Sequence, residues 1–245
     1  IIFLYQNRKM DNNLISIFIG YDSRERAATN VLIDSIYQNS TIPVSITPLV
    51  KSQLEGQKLF YRKREENQST EFSFTRFLVP KLMGYEGWAI FMDCDMLCRT
   101  DISRLWSFRD DKKALLCVKH DHVPISNKKF LGEKQTKYQK KNWSSLMLFN
   151  CARCKKLTVE YVNSASGLDL HQFKWLNDDS EIGGIEEFGW NFLIDVQEIP
   201  KHQKQYDQIN LLHWTLGGPW FEKNKNLSYF DQEWFNARND SIENS

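Results

Sequence analysis

Apolar residues arrive in this chain as short bursts separated by polar stretches, and the bursts have two periods. Leu14–Gly20, LISIFIG, is an isoleucine-rich run closed by glycine, the pattern of a strand buried on both faces. In the segment SRERAATNVLIDSIYQNS that follows, Ala27, Val31, Leu32 and Ile36 recur near helical spacing, with Ser23 as candidate N-cap. Ile42–Val50, IPVSITPLV, reads as a second strand with prolines at its margins. Strand, helix and strand in that order predict a right-handed βαβ unit in a largely parallel sheet.

The same pattern continues. Residues 51–70 are polar and charged, a loop or frayed helix, and EFSFTRFLVPKLMG predicts a helix broken or kinked around Pro80. WAIFMD is a third strand, and DISRLWSF begins a short helix after Thr100 or Asp101. Ala114–His120 predicts a fourth strand, Ser145–Asn150 a fifth and Ile209–Trp214 a late one. Between the fourth and fifth lies a lysine-rich polar stretch, Asp121 to Asn142, expected to pass over the site. No repeat, low-complexity tract or linker interrupts the order. The expectation is one α/β domain with a mostly parallel central sheet flanked by helices, over residues 10–235. Residues 1–9, before Met10, read as an extension and 236–245 as a polar tail.

The third strand raises a chemical question, because it runs directly into Asp93 and Asp95. Two ionised carboxylates beside an apolar run are costly unless a cation or strong donors satisfy them. In an open parallel sheet, ligands bind outside the carboxyl ends of strands. Tyr21 and Asp22, Asp93 and Asp95, His120 and Asp121, and His213 all fall at such ends. Residues i and i+2 of extended chain share a face, so the two aspartates present hard oxygen ligands together. That pair suits Mg²⁺ or Mn²⁺, and an imidazole from His213 favours Mn²⁺. With 31 acidic residues in the chain, D-x-D spacing alone is commonplace. The preceding apolar run and the later LLHWTLGGPW are what distinguish this one. Plainer readings stand beside each residue: His213 as a core or capping residue, Arg76 as an ion-pair partner, WTLGGPW as a tight turn. Trp143, Trp190 and Trp220 can stack on sugar rings or belong to the core.

Composition narrows the classes. A formal net charge of +1 provides no global field for nucleic acid or an anionic membrane. No apolar run reaches the ~20 residues of a membrane span, and IIFLY is too short for a signal-peptide core, so a cytoplasmic location is expected. Cys151 and Cys154 form a lone C-x-x-C; a zinc site needs two more ligands, and reduced structural cysteines are expected.

The order of FIGYD, FTRFLVP, FMDCDM and LHWTLGGPWF resembles the GT-A-fold glycosyltransferases, particularly family 8 and its bacterial and viral relatives. STEFSFTRFLVP, KHDH, KNWSS and HWTLGGPWF also resemble a related group of glycosyltransferases, from about residue 15 to residue 222. The resemblance implies a single Rossmann-like GT-A domain that transfers a hexosyl or deoxyhexosyl group from a nucleotide-sugar donor, with UDP the expected nucleotide, to a saccharide acceptor. It assigns a divalent metal on the donor diphosphate to Asp93, Asp95 and His213. Base and ribose fall to Tyr21, Asp22 and Arg24, and contact with the donor to Arg76.

Departures from the family 8 pattern also matter. Gly218 stands where a lysine usually touches the diphosphate, and the spacing from His213 to Pro219 is shorter; backbone N–H groups of Gly217 and Gly218 are a candidate anion nest. Trp143 and Ser144 with Ser145 replace an Asn-Ala-Gly-like donor-sugar segment. IEEFGWN replaces a Leu-Pro-x-Glu-Trp-Asn-like segment, leaving Glu186 and Glu187 competing for one role. An inverting transfer needs a general base, for which Asp121, His120 and Glu187 are candidates, each with a salt bridge as the plainer alternative; a retaining transfer needs none. The alternatives to a transferase are a sugar nucleotidyltransferase, whose glycine-rich first loop GYDSRERAA lacks, and a non-catalytic glycan-binding domain.

Overall fold

The structure, a computed structural model, describes residues 14–65, 68–120, 140–224 and 228–243. The predicted βαβ unit is present as β1 (Ile15–Gly20), α1 (Arg26–Asn39) and β2 (Val44–Leu49). The chain continues through α2 (Lys51–Gly56), α3 (Val79–Leu82), β3 (Trp88–Met92), β4 (Met96–Cys98), α4 (Ile102–Trp106) and β5 (Leu115–Cys117). Then come β6 (Leu146–Asn150), α5 (Val159–Ser164), α6 (Gly167–His171), β7 (Ile182–Gly184) and β8 (Phe192–Leu193). α7 (Gln203–Tyr206), β9 (Leu211–His213) and α8 (Asp231–Glu243) complete the order.

Six strands form the main sheet in the order β2-β1-β3-β6-β5-β7. β1 is parallel to β2 and β3, β5 is parallel to β7, and β6 is antiparallel to both β3 and β5. Five strands therefore share one direction and β6 alone opposes them. Burial explains why the central strands were legible: every residue of β6 and all of β3 except Trp88 are buried, so both read as unbroken apolar runs. β2 lies at the edge, alternates in exposure and tolerates Pro48, whose missing N–H faces no further strand.

A second, three-stranded sheet has the order β4-β9-β8, with β9 antiparallel to β4 and parallel to β8. Val31 of α1 and Phe230 and Trp234 from the α8 region cover it, joining Leu97, Phe192, Leu212 and Trp214 in a separate apolar cluster. This small sheet was not anticipated, because its strands are too short to show a period.

Local corrections have simple causes. Asp22, rather than Ser23, caps the first turn by accepting from the Arg24 N–H, while the Ser23 hydroxyl donates to Glu71 at 2.6 Å. Pro80 does not break a helix; it sits in the first turn of α3, after a 3-10 turn over Thr75–Leu78, where a missing N–H costs nothing. Asp101 caps α4 as expected. The predicted polar tail is helical through Glu243, and the predicted extension and residues 121–139 of the polar stretch lie outside the described residues. Among the described residues, no helix is long and apolar enough to cross a membrane.

Candidate active site

Both sheets meet at the aspartate pair. Asp93 follows β3 and its N–H still reaches the Ser145 carbonyl at 2.9 Å; the chain turns at Cys94 and Asp95 leads into β4. Across the small sheet Met96 pairs with His213, and the Trp214 N–H donates to the Asp95 carbonyl at 2.9 Å. This register brings one ligand atom from each of Asp93, Asp95 and His213 within 4.8 Å of one another.

Arg76 lies 2.8 Å from Asp93 Oδ1, donates to the Ser144 carbonyl at 2.7 Å, and packs over the rings of Phe72 and Phe91. His213 Nε2 lies 3.2 Å from Asp95 Oδ1. Arg76 attracts Asp93 at this distance, whereas the His213 contact is attractive only when the imidazole is protonated. Asp93 Oδ1 and Asp95 Oδ1 are buried acceptors with no hydrogen-bond partner among the described residues. Two buried carboxylate oxygens that have charge contacts but no aligned hydrogen bond, beside an imidazole nitrogen, form a donor set that fits a divalent cation.

The imidazole is held in the matching tautomer. Asn191, wholly buried and in the left-handed region at φ 52°, donates from Nδ2 to Ser145 Oγ at 2.9 Å, and that hydroxyl donates to the Asn142 carbonyl at 2.6 Å. Asn191 Oδ1 then accepts from His213 Nδ1 at 2.7 Å, leaving the Nε2 lone pair toward Asp95. Burial pushes the Asp93 carboxyl up to about 7; Asp95 adds to the shift, and Arg76 and His213 oppose it. Burial disfavours a charged His213, yet Asp95, Asp93 and Asp195 together raise it above its ordinary value. Bringing a cation to these groups releases their protons.

Residues 18–160 match the family model described as glycosyl transferase family 8. The chain belongs to that family. A family 8 chain with this site is a glycosyltransferase. It is 44% identical over 232 residues to Protein CDI of Arabidopsis thaliana, covering 94% of this chain and 88% of that one. Among solved structures, the glycosyltransferase GlyE of Streptococcus pneumoniae TIGR4 superposes with a TM-score of 0.59 at 12% identity, over 93% of this chain and 60% of GlyE. The galactosyltransferase LgtC, crystallised with donor and acceptor sugar analogs, gives a TM-score of 0.55 at 9% identity over 92% of this chain and 95% of LgtC. At such identities the likeness is one of fold, and the fold is GT-A. This chain spans 60% of GlyE's length.

Within this family 8 fold, Tyr21 directly follows β1 and Asp22 after it is wholly buried. Asp22 accepts from Arg24 Nε at 2.9 Å, Arg24 Nη2 at 2.6 Å and the Glu71 N–H at 3.1 Å. Burial opposes the charged form, but these bonds outweigh it and hold the carboxyl below its ordinary range. Asp22 organises the turn, while Arg24, one third exposed, still reaches solvent. Arg76, expected to reach the donor, is engaged with Asp93 and the Ser144 carbonyl. Trp143 donates from Nε1 to the His120 carbonyl at 3.1 Å, and Ser144 Oγ lies 2.8 Å from His171 Nδ1.

The glycine loop departs from the expected nest. Gly217, at φ 90°, uses its N–H to close a turn on the Trp214 carbonyl, and a side chain on Gly218 would collide with the Trp220 ring. Trp190 is buried and belongs to the core, while Trp220 is half-buried and packs on Trp214 and Trp234.

Glu187 does not join the cluster. It pairs with Arg104 and accepts from Asn210 Nδ2 at 3.1 Å. Asn210 precedes β9, three residues before His213, roughly 10 Å along an extended strand. Glu186 is exposed, and Asp121 lies outside the described residues. Cys151 and Cys154 are buried thiols donating to backbone carbonyls, with burial pushing Cys151 up to about 12. They are structural.

Sequence reasoning missed three side chains here. Asn191 carries no signal beyond its place in FGWN. Asp195 ends an apolar run, FLID, just as Asp93 does; its carboxylate accepts from the Leu216 N–H at 3.2 Å and is pushed up by burial, which that N–H and His213 oppose. Glu25, almost wholly buried, accepts from Cys94 Sγ at 3.2 Å, and burial with Asp95 drives its carboxyl well up.

Proposed function

We propose that this family 8 enzyme transfers a hexosyl or deoxyhexosyl group from a nucleotide-sugar donor, UDP-linked, to a saccharide acceptor, with Mn²⁺ (or Mg²⁺) held by Asp93, Asp95 and His213. The observation that carries the proposal is the pair of buried Oδ1 atoms, neither with an aligned hydrogen bond among the described residues, beside His213 Nε2 at the meeting of the two sheets. The donor and acceptor analogs in LgtC, which shares the fold over nearly all of both chains, support the substrate class. Bound there, a divalent ion stabilises the charge that develops on a departing nucleoside diphosphate.

The chain's own residues supply the remainder. Arg76 fixes Asp93 and Asn191 fixes His213, so the ligands need little reorganisation. Tyr21 and Arg24 take the base and ribose, above the Asp22 cap. His120, Trp143 and Ser144 line the donor-sugar side, and Gly217 and Gly218 let the loop after His213 approach the diphosphate closely. For an inverting transfer, Asp121 is the preferred base over Glu187. β5 and β3 are both antiparallel to β6, so the C-terminal end of β5 lies at the end of the sheet that carries Asp93. Glu187 is occupied by Arg104.

Thermal unfolding against a panel of nucleoside diphosphates, with and without Mn²⁺, tests the proposal. A ligand at a hundredfold excess over Kd adds ~2.7 kcal/mol to apparent stability. UDP with Mn²⁺ is expected to raise Tm in the wild type and not in Asp95→Ala. A UDP shift indifferent to Mn²⁺, or no shift with any nucleotide, would reject it.

A further inference from the structure

Each residue of the turn that carries the aspartates is tied to a different element. The Asp93 N–H is bound to the Ser145 carbonyl beside β6, and the Asp95 carbonyl accepts from Trp214 after β9. The middle residue, Cys94, is wholly buried and donates its thiol to Glu25 Oε2 at 3.2 Å. Glu25 stands at the N-cap position of α1, yet its side chain makes no capping bond to that helix. Its carboxylate instead faces the turn that carries the aspartates, at 2% exposure. The other end of α1 repeats the arrangement, with Ser35 Oγ accepting from the Cys98 N–H at 3.1 Å and Asn39 Nδ2 donating to the Cys98 carbonyl at 3.3 Å. Helix α1 thus grips the Asp93–Cys98 segment at Cys94 and at Cys98.

We propose that Glu25 is a positioning residue for the metal-binding turn: by accepting the Cys94 S–H it fixes the backbone between Asp93 and Asp95 so that both carboxylates face His213. A buried carboxyl group is costly without such a task. The inference rests on the proposed metal site, but it concerns a hydrogen bond that exists without the metal, which allows the two to be tested separately.

The experiment is a double-mutant cycle of Glu25→Ala and Cys94→Ala, with Glu25→Gln as the conservative variant, read by Mn²⁺ titration and by hydrogen exchange at the Asp93 amide of the metal-free protein. Loss of an outer partner of a metal ligand costs about 10–100-fold in affinity. Glu25→Ala and Cys94→Ala are each expected to weaken Mn²⁺ binding about tenfold or more, the double variant no further. Glu25→Gln, whose amide oxygen still accepts the thiol, should stay near wild type. Both alanine variants should also speed Asp93 amide exchange. Wild-type affinity in the alanine variants, additive losses, or a Glu25→Gln variant as weak as Glu25→Ala would overturn the proposal. If Glu25→Ala does not fold, Cys94→Ala decides alone, since it removes only the donor. If the wild type binds no Mn²⁺, the metal reading fails and amide exchange decides the role of Glu25: unchanged exchange in Cys94→Ala overturns it.

Discussion

The two ends of the β4–β9 pair carry similar numbers of polar groups and treat them in opposite ways. At the far end, Arg99 donates to Glu233 at 2.6 Å and to the carbonyls of Tyr206 and Ile209, and Tyr206 donates to the other oxygen of Glu233. Arg104 meets Glu187, Asn210 and Thr100 there. At the near end, Asp95 and His213 face each other off axis and two carboxylate oxygens have no hydrogen-bond partner among the described residues. A groove of about 500 Å³ opens at the far end, lined by Arg99, Arg104, Asn210 and Glu233 among others, yet these four are already engaged. Unsatisfied chemistry, rather than the groove, marks the site. Charges that complete one another hold the sheet to its helices; buried oxygens without aligned hydrogen bonds are where the proposed ion would add its own contacts.

The comparison can be broken most forcefully at the near end. Asp93→Ala and His213→Ala should each cost more than about 100-fold in Mn²⁺ affinity, beyond the ~10–100-fold of an outer partner, and abolish Mn²⁺-dependent stabilisation by UDP. Calorimetric titration of the folded variants checks this. Asn191→Ala should cost about 10–100-fold, because His213 is freed to adopt the wrong tautomer. Retention of wild-type affinity would remove Asn191 from the site.

Acidity sharpens the contrast. Asp93 is raised from the ordinary carboxylate value to about 7, so the folded metal-free protein holds this proton more tightly than the unfolded chain. Apo stability should therefore fall as pH rises from about 4 to about 7, while Mn²⁺ affinity should climb over that window, by at most about tenfold per pH unit for each displaced proton. His213, also raised, extends both trends above its ordinary value. Unfolding in chelator and Mn²⁺ titration at several pH values test the opposed signs. The smallest effect belongs to the far end: Glu187→Gln should change stability by no more than about 1 kcal/mol and leave Mn²⁺ affinity unchanged. A large loss of nucleotide-dependent stabilisation in that variant would return Glu187 to the site.

What the sequence revealed follows from where each element is buried. β1, β3 and β6 lie in the middle of the main sheet and appear as apolar runs, so Asp93 and Asp95 stood out at the end of one. β4 and β8 are three and two residues long and show no period, so the small sheet that brings His213 to Asp95 leaves no sequence signal, although LLHW announces the histidine itself. Asp195 carried the same apolar-run signal as Asp93. Glu25 carried none, because a charged residue opening an amphipathic helix normally faces water. Glu187 lies in a segment that resembles a functional one, while its pairing with Arg104, distant in sequence, has no sequence signal.

The most direct measurement is electron paramagnetic resonance of Mn²⁺ titrated into the wild type and Asp95→Asn, a change that keeps the side chain's size but removes its charge. One tightly bound ion is expected in the wild type, with that population lost or weakened more than about 100-fold in the variant. Equal binding by the two proteins would contradict it and return the buried oxygens of Asp93 and Asp95 to a purely structural role.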